Sequence, residues 1–393
     1  MCVLWNLIKG SKLSWNKDLN MLKRALSMVL LLCCFFLISG CAYSAINKDG
    51  YGFFRTGDML NTRIYSQAVL LKDGRVFIAG GKIGDPKKNL TFWRTTDTTE
   101  IYDPKTGIFS YGPNLNVPRE QHAMLTMDDG RVLIAGGNFW SYKEGYNKIN
   151  LDKKEKYSHI EIYDPKTNTI TLGPKLADNS IYENAQILNI GDGEYLIGTS
   201  AGGMMPSFVI YNSKTNTLEL FHNGLKDVIK DVSHMAYLGD NEIAMFNQLN
   251  GKVDIINKKT GKIIRSAMPN IKRFVSPVKH LDNGKILIIE GRGKAVEHTA
   301  EIYEKDANKF RMVKAASNLT WYQVKKLSNN KVFLKNTQGT EIFDGNNETF
   351  QLQDYNLPAR CNAFVNINDN TALCAGTINY WREKSKKSYL FKY

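Results

Sequence analysis

The feature that most constrains the fold of this chain is an eight-residue phrase that occurs twice. Residues 100–107 read EIYDPKTG and residues 161–168 read EIYDPKTN. The Ile-Tyr pair favours a strand, and the following Asp-Pro-Lys-Thr with Gly or Asn favours a tight turn, because Pro fixes φ and Gly or Asn tolerates left-handed backbone. Since a single hairpin cannot bury its own apolar face, repeated copies predict a stacked or circular repeat architecture.

Weaker copies of this strand and turn continue to the end of the chain. The strand opens at Glu100, Glu161, Val209, Asp254, Glu301, Glu341 and Tyr389. Left-handed backbone is predicted at a Gly or Asn in five of the turns, namely Gly107, Asn168, Asn216, Gly261 and Asn308. Seven copies predict seven structural units.

A second pattern precedes each copy: two apolar segments flank a two-residue turn, as hairpins do. These turns lie at Asp73-Gly74, Asp129-Gly130, Asp192-Gly193, Asp240-Asn241, Asn283-Gly284, Asn329-Asn330 and Asp369-Asn370. A fourth short strand follows six of the units, and the seventh such strand lies at the other end of the chain, around Phe53. We therefore predict an all-β fold, a seven-bladed β-propeller of four-stranded antiparallel blades closed by an N-terminal strand that completes the last blade.

These residues resemble the kelch motif, as in the propellers of the galactose oxidase-like superfamily. The resemblance is carried by Asp-Gly before the second strand, by Gly80-Gly81 and Gly136-Gly137 at its end, and by Tyr-Asp-Pro after the third strand. It extends over nearly all of residues 51–393 and weakens in the later units, so the pattern does not fix the blade boundaries between residues 220 and 350. The copper-radical site of galactose oxidase cannot be matched here residue by residue.

The first 40 residues are predicted to be a lipoprotein signal peptide. A charged start is followed by an apolar run over residues 25–38, which is short for a membrane-spanning helix of about 20 residues. The run closes as ISGC, which resembles the lipobox of bacterial lipoproteins and implies that Cys41 carries the lipid. An ordinary secretory signal or an uncleaved anchor is the alternative.

The expected domain organisation follows from that signal. Residues 1–40 are removed, with Met21 as the expected start, residues 41–50 form a lipidated linker, and residues 51–393 form the propeller. Ala42 after the cysteine implies the outer membrane where a cell has two membranes.

The net charge of the full chain is +14, and it becomes +10 when the five Lys or Arg residues and one Asp of the signal are removed. This excess of positive charge favours an acidic glycan or an anionic lipid surface as partner, and a lysine-rich solvated surface is the alternative. No nucleic-acid partner is predicted, since the chain has no basic, aromatic-rich recognition motif. The propeller is expected to be monomeric, and its membrane contact is expected through the lipid on Cys41.

Two cysteines, Cys361 and Cys374, remain beside Cys41 after cleavage. They flank the hairpin turn at Asp369-Asn370 and fall about four positions out of register, which is about 13 Å along a strand. A disulfide requires Cα atoms less than about 7 Å apart. We therefore predict two unpaired, buried thiols.

Function is expected on the face of the propeller that carries its irregular loops. Residues 82–98 include Trp93 and residues 138–158 include Trp140, and exposed aromatic rings near Lys and Arg suit sugar stacking or peptide capture. The alternative is that these loops bury their own aromatic residues as plugs.

A series of cations is predicted at the channel mouth on the same face, ten residues before the hairpin turns. Its members are Arg63, Arg119 and Arg273, with Arg360 one step out of register. Arginines could hold a carboxylate or sulfate in two-point contacts, or they could brace the blades. His122 is expected to face inward three residues after Arg119, as a binding or spacer residue.

The predicted ligand-binding residues are therefore Arg63, Trp93, Arg119, His122, Trp140, Arg273 and Arg360. No catalytic residues, metal ligands or cofactors are predicted, because we find no closely spaced His or Cys pair fit for a metal, no Gly-rich phosphate loop and no serine-nucleophile elbow. The expected function is a lipid-anchored binding module for an acidic glycan or a protein partner. Two alternatives remain open: a sugar mutarotase or epimerase using Glu120, Glu183, Arg119 and His122, and a scaffold in a cell-envelope assembly.

Overall fold

The structure is a computed structural model of the whole chain. It describes residues 49–84, 93–138, 141–143, 146–148, 159–176, 185–198, 208–221, 232–273, 277–290, 299–314, 323–335, 339–355, 360–378 and 384–393. The chain divides into two units, Met1–Ser44 and Ala45–Tyr393. The predicted signal peptide and Cys41 lie outside the described residues.

Strands account for the regular structure of the described residues. In chain order they are β1 Gly52–Arg55, β2 Arg63–Ile64, β3 Gln67–Leu70, β4 Val76–Ala79, β5 Lys82–Gly84, β6 Trp93–Thr95, β7 Thr99–Asp103, β8 Ile108–Tyr111, β9 Ala123–Thr126, β10 Val132–Ala135, β11 Ser141–Lys143, β12 Tyr146–Lys148, β13 His159–Asp164, β14 Thr169–Lys175, β15 Gln186–Asn189, β16 Glu194–Gly198, β17 Phe208–Asn212, β18 Thr217–Leu220, β19 Val232–Tyr237, β20 Glu242–Asn247, β21 Val253–Asn257, β22 Ile263–Ala267, β23 Val278–His280, β24 Ile286–Ile289, β25 Thr299–Glu304, β26 Lys309–Lys314, β27 Gln323–Lys326, β28 Lys331–Lys335, β29 Thr340–Asp344, β30 Thr349–Gln353, β31 Arg360–Asn368, β32 Thr371–Ile378, β33 Lys384–Ser385 and β34 Tyr389–Lys392. Among these same residues, no helix is long and apolar enough to cross a membrane.

The strands form antiparallel four-stranded sheets, as predicted for propeller blades. We number these sheets 1 to 7 from the first strand of each: β3-β4-β7-β8, β9-β10-β13-β14, β15-β16-β17-β18, β19-β20-β21-β22, β23-β24-β25-β26, β27-β28-β29-β30 and β31-β32-β34-β1. This topology also sets the unit boundaries between residues 220 and 350 that the sequence pattern left open.

The last sheet contains both ends of the described chain. Strand β1 pairs antiparallel with β34, with Phe53 opposite Phe391, so the predicted completion of the last blade by an N-terminal strand is confirmed. The two phenyl rings stack at 4.5 Å between centroids, and Phe333 and Tyr355 meet the Phe53 ring edge-on.

The hydrophobic core lies between neighbouring sheets. One apolar cluster joins sheets 1 and 2, around Phe77 and Ile134, and another joins sheets 7 and 1, around Leu373 and Val76. Further clusters join each other successive pair of sheets. The sheets therefore pack face to face in a closed cycle.

The repeated turns have the predicted backbone conformation. The Gly or Asn predicted to be left-handed has positive φ in all five turns, between 48° at Asn308 and 72° at Gly107. In three of them the Asn side chain also accepts a hydrogen bond from the hydroxyl of the Tyr five residues earlier, as Tyr303 does to Asn308 at 2.9 Å. The phrase is thus repeated because the same turn closes the same strand pair in each sheet.

The two cysteines of sheet 7 form a disulfide bond, so the prediction of unpaired thiols is wrong. The Cα atoms of Cys361 and Cys374 lie 5.1 Å apart. The ladder pairs Cys361 with Thr377 and Phe364 with Cys374, which is close to the expected register. The prediction extrapolated along a straight ladder, but the structure brings the two Cα atoms closer than that register implies.

Candidate functional site

Arg63 braces sheet 1 from inside the protein. Its side chain is fully buried, and Nε lies 2.8 Å from Glu100 Oε1. Its Nη1 donates to the carbonyl oxygens of Gly80 and Thr98 at 3.0 and 2.8 Å, and Nη2 donates to Thr98 Oγ1 at 2.9 Å. The Glu100 carboxylate also accepts hydrogen bonds from two backbone N–H groups of the segment before Arg63, at 2.7 and 3.0 Å.

The same arrangement recurs in sheets 2 and 5. Arg119 pairs with Glu161 at 2.8 Å and Arg273 pairs with Glu301 at 2.9 Å, with all four side chains buried. In each case the carboxylate also accepts a hydrogen bond from the backbone of the preceding segment, at 2.6 and 2.7 Å. These contacts within each sheet favour a blade-bracing role for the three arginines.

The glycine pair at the end of β4 brings sheet 1 against the start of sheet 2. Gly81 N donates to the carbonyl oxygen of Arg119 at 2.7 Å. A Cβ on Gly80 would lie 2.3 Å from that same oxygen and 2.9 Å from His122 Cε1, and both glycines have positive φ. Only glycine allows so close an approach of the two backbones.

A cavity of about 640 Å³ opens among the first strands of the sheets. Strands β3, β9, β27 and β31 contribute to its walls, together with Ala185 beside β15. Most of its polar lining is neutral, for example Ser66, Gln323 and Asn362. Lys325 is the one charged side chain among the described lining residues, none of which is acidic. The cavity therefore favours a polar ligand that carries negative charge.

His122 lines this cavity and is 1% exposed. Neither ring nitrogen has a hydrogen-bond partner among the described residues. Burial, with a smaller contribution from the Arg119 guanidinium, lowers the pKa of His122 to about 3. The ring is therefore neutral at physiological pH. Both nitrogens are shielded from solvent, so His122 contributes an uncharged ring to the wall.

Tyr65 and Gln121 form part of the rim at equivalent positions of sheets 1 and 2. Both have left-handed backbone, with φ of 57° and 53°, which is unfavourable for these residue types and is common at functional sites. Tyr65 is 49% exposed. Lys82 Nζ lies 5.7 Å from the centre of its ring and 3.0 Å from Glu120 Oε1. The rim thus presents an aromatic ring beside a cation.

Several predicted ligand-binding residues have no described side chain. The backbone of Trp93 lies in β6 and that of Arg360 begins β31, but their side chains lie outside the description, as do Trp140 and Glu183 entirely. The roles assigned to these residues stay predictions. Of the irregular loops, β5 and β6 form a three-stranded sheet with β2, and β11 pairs antiparallel with β12.

Sequence reasoning found the arginines and missed their partners. A signal was available: the repeated phrase opens with Glu in sheets 1, 2, 5 and 6, and the arginine is present in the first three of these. Sheet 6 has Leu319 at the arginine position, and sheet 3 has Val209 in the phrase and Tyr182 at the arginine position. The cavity residues Tyr65, Gln121 and Lys325 gave no such signal, because their importance depends on which strands come together.

Within the described ranges, no group of three or more His, Cys, Asp or Glu side chains is placed to hold a metal ion.

Residues 63–116 match the Kelch motif family. The fold is similar to that of a selenomethionine-substituted virginiamycin B lyase from Staphylococcus aureus, with a TM-score of 0.57 and 9% identity over 87% of this chain and 98% of the lyase. A copper-bound fungal alcohol oxidase of the AA5 family aligns with a TM-score of 0.46 and 14% identity over 87% of this chain. This chain spans 63% of the oxidase. At these identities the likeness concerns the fold alone.

Proposed function

The chain is a kelch β-propeller, and from this premise we propose that it is an exported, lipid-anchored module that binds an acidic glycan in the cavity on its irregular face. A kelch propeller is in general a binding or scaffold module. The observation that carries the narrower proposal is the composition of the cavity wall, where neutral hydrogen-bonding side chains surround Lys325 and no described lining residue is acidic.

The rim and the interior of the cavity support complementary contacts to a sugar acid. The exposed ring of Tyr65 offers a stacking surface next to the Lys82 ammonium. Inside, His122 contributes an uncharged ring to the wall, beside the neutral side chains of Ser66, Gln323 and Asn362, which can bond to hydroxyl groups. The three bracing arginines are engaged with their glutamates, so the ligand contacts are assigned to these other residues.

Export is supported by the disulfide bond in sheet 7. Disulfides persist in the periplasm and outside the cell, and they are rare in a reducing cytosol. Together with the lipobox-like ISGC of residues 38–41, this favours an anchored protein of the cell envelope.

The binding proposal is tested with an array of acidic and neutral glycans and the full chain in detergent. We expect binding to acidic glycans that is weakened about tenfold by Tyr65→Asn, which removes the ring and keeps a residue that tolerates positive φ. Tyr111→Asn is the control, because Tyr111 is 64% exposed on β8, which contributes no residue to the described lining. Equal binding by both variants and the unmodified chain would refute this site, and stoichiometric capture of a protein in place of a glycan would favour the scaffold function.

The anchor is tested by growing a bacterial host with an alkyne analogue of palmitate. We expect the unmodified chain to be labelled and to fractionate with the outer membrane, and Cys41→Ala to lose both properties. Labelling of the variant would refute Cys41 as the lipid site.

A further inference from the structure

Two lysines occupy positions that are apolar in every other sheet. Lys279 of β23 lies opposite Leu287, and Lys325 of β27 lies opposite Phe333. In the five other sheets the equivalent residues are Val69, Leu125, Leu188, Ala236 and Val365. All five belong to or pack against the apolar clusters between sheets. The two lysines thus replace core residues in two successive sheets.

Neither lysine has an acidic partner among the described residues. Lys279 Nζ donates to the carbonyl oxygen of Val278 at 3.1 Å, and within the described part of the chain no hydrogen bond or ion pair is found for the Lys325 ammonium. The next residue, Lys326, by contrast, forms an ion pair with Asp282 at 2.6 Å. Lys279 and Lys325 are partly buried. An ammonium withdrawn from water without a counterion is costly, so a fold that gains nothing from these two charges would be more stable with apolar residues.

The two ammonium groups are close enough to interact. Burial, and after it the charge of Lys325, lowers the pKa of Lys279 to about 8, and burial lowers the pKa of Lys325. His234, on the first strand of sheet 4, is also near Lys279: burial and that ammonium lower the pKa of His234 to about 3, and its Nδ1 has no hydrogen-bond partner. Three neighbouring strands therefore place two cations and an unpaired ring nitrogen together.

We propose that Lys279 and Lys325 form an anion site in the wall of the cavity, which holds the carboxylate, sulfate or phosphate group of the ligand. This inference rests on the proposed function and assigns the residues that select the negative charge. Lys325 lines the cavity, β23 contacts β27, and none of the described lining residues is acidic, so an oxyanion there would meet two cations and no repelling carboxylate.

The test compares the melting temperature of the full chain with and without millimolar sulfate. Without sulfate we expect Lys279→Met/Lys325→Met to melt above the unmodified chain, because two unpaired, partly buried charges are removed. With sulfate we expect the unmodified chain to be stabilised and the double variant to lose that response, with a sulfate Kd at least tenfold weaker. Sulfate also stabilises proteins non-specifically by exclusion from their surface, so the difference between the two proteins is the readout.

Lys326→Met is the matched control, since it removes the neighbouring, ion-paired lysine and is expected to keep the sulfate response. Should the double variant fail to fold, Lys325→Gln provides the same comparison with a polar side chain of similar length. An unchanged sulfate response in the variant would overturn the site, and so would a melting temperature that falls without sulfate, because the lysines would then have a structural role.

Titration of glucuronic acid separates this inference from the proposed function. Binding that survives Lys279→Met/Lys325→Met supports the glycan function and refutes the lysine site. No binding of any acidic glycan, together with a sulfate response that requires the lysines, refutes the glycan function and leaves the anion site standing.

Discussion

At the residue scale, two largely enclosed histidines set how the protein responds to acid. His122 is buried directly before the first strand of sheet 2, and His234 is partly buried in the first strand of sheet 4. Among the described residues, each has at least one ring nitrogen without a hydrogen-bond partner. Burial lowers the pKa of each to about 3 from 6.5, so both are neutral in the folded protein. Sequence reasoning predicted the inward position of His122, but its neutrality depends on burial and on Arg119, which the sequence does not display.

We expect the contribution of the two histidines to the free energy of unfolding to be constant above about pH 7 and to fall on acidification. Between pH 6.5 and about 3 the unfolded chain binds protons that the folded chain does not, so each histidine costs about 2 kcal/mol of unfolding free energy on going from pH 7.5 to pH 5. We expect His122→Asn to remove its share of this loss, as measured by urea unfolding at both pH values. An equal loss in the variant and the unmodified chain would show that His122 does not remain neutral in the folded protein.

The disulfide shows at the same scale why part of the structure could not be predicted. The turn at Asp369-Asn370 and the ladder register were accessible from the sequence, because apolar alternation and turn residues determine them. The close approach of the two cysteines was not, since a register inferred from a regular hairpin does not show local departures from straight strand geometry. The register was therefore predicted closely, and the bonding prediction was wrong.

At the element scale, the buried arginine–glutamate pairs tie the start of a sheet to its third strand. Arg119 is 1% exposed, and its guanidinium donates to the Gly136 carbonyl at 2.9 Å as well as to Glu161. The strands and turns were predictable from local patterns, but the pairs join residues 28 to 42 positions apart, and only a comparison between the repeats indicates them.

Removing one member of a pair leaves the other charge buried. We expect Arg119→Ala to lower the free energy of unfolding by about 3 to 5 kcal/mol, and Arg119→Met/Glu161→Met to recover most of that loss, because the double variant buries no unpaired charge. A double-mutant cycle by urea unfolding measures both values. If the double variant were as unstable as Arg119→Ala, the pair would matter through its backbone hydrogen bonds and not through charge.

At the scale of the whole molecule, the closed cycle of sheets was predictable for two reasons. The number of repeats gives the number of sheets, and the fourth strand of the last sheet comes from the N-terminal end of the propeller. The cavity was less accessible. Its walls combine single residues from distant strands, such as Tyr65 and Lys325, that share no motif. Repetition in the sequence thus predicts the propeller fold. Departures from repetition, such as the two lysines, indicate the proposed anion site.

Because β1 completes the last sheet, we expect substitution of Phe53 to lower the stability of the whole propeller, although Phe53 lies near one end of it. Its ring is 2% exposed and contacts three other aromatic rings. We expect Phe53→Ala to lower the free energy of unfolding by about 3 to 5 kcal/mol. Phe54→Ala is the control in the same strand, since Phe54 is only partly buried, and it should cost clearly less. Equal losses of unfolding free energy in the two variants would indicate that the Phe53 side chain does not hold β1 in the last sheet.

The pairing of β1 with β34 also imposes an order on biosynthesis. Phe53 leaves the ribosome long before its partner Phe391. A nascent chain therefore lacks its closing strand pair until β34 has been translated. Until then β1 has no partner strand, and the last sheet is completed only when the two segments meet.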